Sequence, residues 1–194
     1  MLFDPAAVTD LTQPQVKQAV GVALETPVDG VICPPNSDLL DVLPCIKPGT
    51  HYHLASAGLW AMHELLFHLL ALTGPARVTL ATWSMSETAV RQLVRGLDAG
   101  VITSLHALLD GRVRVRTPEV LAFLTCQAAR VRITANHAKV TVIENETWQI
   151  AVVSSANFTN NPRYEASVVA VDAQAAQLHR QWIDAELRKA HPLT

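Results

Sequence analysis

From Thr50 onward the apolar positions fall into short runs that alternate between strand and helix periods. Thr50–Ser56 alternates and reads as a strand, with His51 and His53 on one face. Leu59–Leu72 has the helical period and stops at Gly74-Pro75. Arg77–Trp83 reads as a buried strand, followed by a helix capped by Ser84 or Ser86 and running to about Ala99, with Glu87 in its first turn. Val101–Leu109 reads as a strand, although Leu105–Leu109 also suits a helix. Arg112–Arg116 alternates Arg with Val and predicts a half-exposed strand. Pro118 opens a helix to about Ala129, and Arg130–Ala135 is the next strand. His137–Ile143 and Trp148–Val153 form a hairpin across the turn residues 144–147. Glu165–Val171 is a final strand and Ala173–Lys189 a final helix. Strands alternating with helices and ending in a meander predict a layered α/β fold, α-β-α, around a central mixed sheet.

The first part of the chain differs. Residues 1–49 are punctuated by proline, with a helix candidate at Pro14–Leu24 and an irregular run over Cys33–Pro48. They read as an arm or cap, and residues 50–194 as the main domain.

Composition narrows the class. Of 194 residues, 49% are hydrophobic and 16% charged, enough for a packed core and unlike a disordered chain. Three cysteines, Cys33, Cys45 and Cys126, are too few and scattered for a disulfide framework or a zinc site, which suits a reduced cytoplasmic setting. No basic region precedes an apolar run at the N-terminus, so no signal peptide is expected. The most apolar window, Leu54–Leu72, contains His63, Glu64 and His68, so stable membrane insertion is not expected.

The net charge of −2 conceals an asymmetry. Residues 77–139 hold nine basic side chains against four acidic, whereas residues 1–76 hold two against seven. Positive charge gathered ahead of His137 and Lys139 suits an anionic substrate.

The chemistry-bearing stretch is 135–165, ANHAKVTVIENETWQIAVVSSANFTNNPRYE. His137 and Lys139 lie two apart, so a strand turns both to one side. An imidazole can serve as nucleophile or general acid/base, and an ammonium beside it supplies fixed charge for an anion. The hydroxyl of Ser155 and the amide of Asn157 add oriented hydrogen bonds, equipment suited to a phosphoryl oxygen. Glu165 follows as a carboxylate able to hold an imidazole in one tautomer.

The order H-x-K-(x)4-E then S-S-A-N resembles the signature of the phospholipase D superfamily, H-x-K-(x)4-D then G-S-x-N. The match uses His137, Lys139, Glu144, Ser155 and Asn157, with Glu144 for the usual Asp and Ser154 for the usual Gly. Glu144 and Ser154 stand at positions that are structural in the motif. The resemblance covers roughly Thr50–Lys189. It implies a metal-independent phosphodiesterase in which one histidine forms a phosphohistidine and a second protonates the leaving oxygen, with no cofactor. Lys139, Ser155 and Asn157 would hold the phosphate, and Glu165 would orient His137. Two H-x-K units are required and this chain has one, so the resemblance implies a homodimer sharing one site. The basic segment favours a nucleic acid, DNA or RNA, with Arg112, Arg114, Arg116 and Arg132 as contacts. Alternatives are a phospholipid phosphodiesterase and a non-catalytic binding or assembly module. His63 and His68, five apart, miss the four-residue spacing of a helical zinc pair, and no acidic cluster suggests a divalent-cation nuclease, so no metal is expected.

Overall fold

The computed structural model describes residues 38–189 and the backbone of the strand Val28–Gly30. The strands are β1 (Val28–Gly30), β2 (Thr50–Ser56), β3 (Ala76–Thr82), β4 (Ile102–Asp110), β5 (Arg130–Thr134), β6 (Val140–Glu144), β7 (Gln149–Ser154) and β8 (Glu165–Val171). They form one sheet in the order β1-β2-β8-β7-β6-β3-β4-β5. The pairs β1–β2, β3–β4 and β4–β5 are parallel and the rest antiparallel, so the sheet is mixed. The helices are α1 (Leu39–Val42), α2 (Met62–Thr73), α3 (Glu87–Asp98), α4 (Arg112–Arg116), α5 (Pro118–Gln127) and α6 (Ala173–Arg188). The layered α/β class expected from the pattern is the one found.

Both faces of the sheet are covered because its central strands are apolar on both. Val78 and Leu80 of β3, Leu105 of β4, Ile143 of β6 and Val152 of β7 pack with Leu66 and Leu69 of α2, Leu93 of α3 and Leu124 of α5. On the opposite face Ala81, Leu108, Val140 and Val142 pack with Ala176, Ile183 and Leu187 of α6. Each fully buried leucine or isoleucine contributes about 1.5–3 kcal/mol. Small residues on the second face let α6 approach closely: Ala151 of β7 and Ala170 of β8 meet Ala175.

Polar ties hold α6 at one end of the sheet. Arg180 Nε donates to Glu144 Oε1 at 3.0 Å, and Arg180 also faces Asp184 at 3.8 Å. Asp184 in turn faces Arg77 of β3 at 3.5 Å and His106 of β4 at 3.4 Å. Burial, then the neighbouring Arg77 charge, lowers the pKa of His106, against an opposing pull from Asp184. The motif carboxylate Glu144 is thus a structural tether, at the far end of β6 from Lys139.

Three local expectations are corrected. Arg112–Arg116 is a helical turn, α4, where alternation suggested a strand. Asp110 Oδ1 accepts from the Arg112 amide at 3.0 Å and turns the chain, and Val113 is the one buried residue of α4. β6 begins at Val140, three residues after His137, because Asn136 Oδ1 accepts from the Ala138 amide at 3.0 Å and bends the chain out of the ladder. Within the irregular run, Leu39–Val42 forms one turn capped by Asp38, and Val42, Leu43 and Ile46 join the core. β1 brings part of the expected arm into the sheet, and the helix candidate Pro14–Leu24 lies outside the described residues.

Candidate active site

Strand directions bring the motif together. β3, β4, β5 and β7 end, and β6 and β8 begin, at one edge of the sheet. That edge carries Trp83 after β3, Asp110 at the end of β4, His137 and Lys139 before β6, Ser154 to Asn157 after β7, and Glu165 at the start of β8.

Asn136 sets the position of the H-x-K segment. It is buried, and its Nδ2 donates to the carbonyls of Thr82 at 3.1 Å and Leu108 at 3.4 Å. Its own amide donates to Asp110 Oδ2 at 3.1 Å. One side chain therefore ties the start of the motif to the ends of β3 and β4. The Ser154 amide donates to the Lys139 carbonyl at 3.0 Å, which joins the H-x-K and S-S-A-N segments directly.

His137 is exposed and Lys139 half-buried. Lys139 Nζ donates to the His137 carbonyl at 2.7 Å and lies 3.3 and 3.4 Å from the two imidazole nitrogens. A neutral imidazole has one ring nitrogen with a lone pair, the atom a nucleophile uses, and the ammonium sets fixed positive charge beside it. Burial lowers the pKa of Lys139, while the charges of Glu165 and Asp110 act in the opposite direction. Trp83 packs beside the pair, with its ring centroid 5.5 Å from that of His137 and 5.7 Å from Lys139 Nζ.

The corner after β7 is closed by its own side chains. Ser154 Oγ accepts from the Ala156 amide at 2.9 Å and pairs with Ser167 Oγ at 2.7 Å, so Ser154 uses its hydroxyl to build the turn. Asn157 Oδ1 accepts from the Ser84 amide at 3.3 Å and from Thr82 Oγ1 at 3.4 Å, which leaves its Nδ2 without a protein partner among the described residues. Ser155 Oγ donates to Glu165 Oε2 and accepts from the Ala166 amide at 3.0 Å. Glu165 Oε1 accepts from Asn161 Nδ2 at 2.8 Å. The carboxylate expected to orient His137 is therefore bonded to Ser155 and Asn161, its nearest donors across the β7–β8 corner, and reaches Lys139 through its charge. Gly58 makes room for this corner: it has φ +77°, and a Cβ there would lie 2.4 Å from the Asn161 carbonyl oxygen.

The basic stretch separates in space. Arg112 and Arg116, one helical turn apart on α4, place their guanidinium carbons 5.0 and 5.7 Å from the Trp83 ring centre. Arg114 is exposed on another side of the turn. Arg132 Nε donates to the Leu187 carbonyl at 3.2 Å and so helps to hold the end of α6. Arg77 is at the far end of the sheet, and Arg91 pairs with Glu87 on the surface. Trp83, Asn136, Asp110 and Asn161 were not singled out from the sequence. Asn136 alone carried a local signal, a turn-forming residue set directly before H-x-K.

Among the described residues no group of three His, Cys, Asp or Glu side chains is placed to hold a metal ion. His68 Nε2 bonds to the Leu43 carbonyl at 2.7 Å, and His63 is buried. No helix among the described residues is long and apolar enough to cross a membrane.

No family model matches the chain, and no curated protein matches its sequence. Solved structures do match its shape. NucT from Helicobacter pylori superposes with a TM-score of 0.54 at 15% identity, covering 70% of this chain and 94% of that one. A polyphosphate kinase from Porphyromonas gingivalis superposes with a TM-score of 0.52 at 13% identity, covering 73% of this chain and only 27% of that one. At these identities the likeness is one of fold. With its mixed sheet, its covering helices and this likeness to NucT, the chain has a phospholipase D-like fold.

Proposed function

We propose that this chain is a phosphodiesterase that cleaves nucleic acid through a phosphohistidine and works as a homodimer. The observation that carries the reading is the Lys139 ammonium set against the His137 imidazole, on a segment bonded through the Lys139 carbonyl to the Ser154–Asn157 corner. A neutral ring nitrogen of His137 attacks phosphorus, a P–N bond forms, and the bond to the leaving oxygen breaks. His137 of a second copy, as the imidazolium, gives that oxygen its proton and becomes neutral. Water then attacks phosphorus, the second imidazole takes its proton, and the P–N bond breaks. Lys139 and the free Nδ2 of Asn157 hold the non-bridging oxygens, where charge develops. Ser155 joins them when its hydroxyl turns from Glu165. Glu165 contributes negative charge that keeps Lys139 protonated. The arginines of α4 beside the site favour a polyanion as substrate.

The test is turnover of bis(p-nitrophenyl) phosphate. The intact protein should hydrolyse it with and without EDTA, and His137→Ala should lose at least about a thousandfold, the scale of removing a nucleophile. Hydrolysis that persists in His137→Ala assigns the chemistry to other residues. A wild-type protein that turns over neither this diester nor labelled DNA, RNA or cardiolipin is a binding module.

A further inference from the structure

The β3–α3 loop and α4 enclose a cleft of about 290 Å³ that borders the site on the Trp83 side. We propose that this cleft is the subsite for the nucleotide next to the scissile phosphate, with the Trp83 indole taking the face of an unpaired base and Arg112 and Arg116 holding its phosphate. The proposal rests on the phosphodiesterase reading above and adds to it the strandedness of the substrate. The cleft is bounded by Trp83, Ser84 and Ser86 on one side, Arg112 and Arg116 on another, and Thr159. Its volume is close to the lower end of the roughly 300–1,000 Å³ typical of small-molecule sites. It suits one nucleotide and not a double helix.

Three features favour a nucleotide. The Trp83 ring is shared with the proposed nucleophile: the His137 imidazole is 5.5 Å from it, centre to centre, so a base on the indole belongs to a residue adjoining the reacting phosphate. Both guanidinium groups lie over that same ring, and the Arg112 side chain is 61% exposed with Asp110 as its ion partner at 3.9 Å. A solvated guanidinium can leave an indole for a phosphate, a stronger partner, and free the ring for a base. Met85 and Val113, which also line the cleft, are only 3% and 2% exposed, so its mainly apolar surface is presented chiefly by the Trp83 ring and the stems of the two arginines, a flat face on which a base can stack. In a duplex the base faces are stacked on one another, so only an unpaired base can offer its face to an indole.

The experiment uses the full chain carrying His137→Ala, so that substrate persists, and a fluorescein-labelled ten-nucleotide oligo(dT), alone or annealed to oligo(dA). Anisotropy should show the single strand bound at least about tenfold more tightly than the duplex. Adding Trp83→Leu should weaken single-strand binding by about 5- to 150-fold, the range for losing one stacked base, and Trp83→Phe should restore most of it. Neutralising Arg112 and Arg116 together should flatten the log–log salt dependence by about 0.7 units, the single-strand slope for one lost phosphate. Equal binding of single strand and duplex, or no effect of Trp83→Leu in a folded variant, overturns the proposal. So does binding to cardiolipin vesicles that Trp83→Leu abolishes while oligo(dT) binding persists. In the chain with His137 intact, Trp83→Leu should lower kcat/KM for oligo(dT) at least about tenfold more than for methyl p-nitrophenyl phosphate; equal losses would make Trp83 a support for His137 alone. If the wild-type protein hydrolyses neither substrate, the phosphodiesterase reading falls, while the anisotropy series still decides the subsite.

Discussion

At Lys139 burial and two carboxylates pull in opposite directions on one ammonium. Burial disfavours the charged form and wins, so the pKa lies below the ordinary lysine value, while Glu165 and Asp110 limit the fall. The proposed reaction needs the cation. Activity should therefore decline on the alkaline side as pH rises through this lowered pKa, earlier than an exposed lysine would allow. Replacing Glu165 by Gln removes a charge that raises the pKa, so the alkaline limb of the kcat/KM profile should move further toward neutral pH. The sign follows from the charge alone. A limb that stays in place or moves up on Glu165→Gln would separate Glu165 from Lys139 and return it to the tautomer role on His137. The same residue scale explains the corner: Ser154 stands where the related motif has glycine, and its hydroxyl bonds the Ala156 amide and Ser167.

At the scale of elements, the decisive contacts are those that tie helices to the sheet ends. α6 is held on its apolar face by Ala176, Ile183 and Leu187, and at the end remote from the site by the Asp184 cluster. Asp184 is the acceptor shared by Arg77 and Arg180, with His106 beside it, and its side chain is only 15% exposed. Asp184→Asn leaves two half-buried guanidinium groups facing a neutral amide, and should cost about 1–3 kcal/mol in urea unfolding. Because the Asp184 cluster lies at the end of the sheet remote from His137, the folded fraction should keep its turnover. Loss of activity without loss of stability would mean that the cluster communicates with the site. α4 shows the converse case, an element that serves the site and little else: one of its five residues is buried, and two of its arginines face Trp83.

At the scale of the molecule, one H-x-K per chain leaves half of the proposed chemistry to a second copy. The protein should sediment as a dimer under assay conditions, with the sheet edges that carry Ser155 and Asn157 facing across a two-fold axis. Subunit mixing gives the sharper measurement. After full exchange of equal amounts of wild type and His137→Ala, random pairing leaves about a quarter of the dimers with two imidazoles, and activity per total dimer should fall to that fraction. A fall to one half means that each chain works alone. The leaving oxygen would then take its proton from another group.

The sequence by itself determined the order and type of nearly every element, because the apolar periods of β2, β3, β8, α2, α3 and α6 are long and bounded by caps, glycine or proline. It also marked His137, Lys139, Ser155 and Asn157 as one constellation, since those residues lie within a short stretch and their spacing survives folding. Arg112–Arg116 misled because alternating Arg and Val has the strand period, whereas a carboxylate at Asp110 and the burial of Val113 made it a helical turn. The run of nine basic residues suggested one positive surface, but the fold sends Arg77 to one end of the sheet and Arg132 to α6, and of the three arginines on α4 it turns Arg112 and Arg116 to Trp83. Tertiary structure alone decided the places of Trp83, Asn136, Asp110 and Asn161. Each acts on a residue that the parallel crossovers or the β7–β8 corner bring near, and contacts of that kind leave no period or motif in the chain.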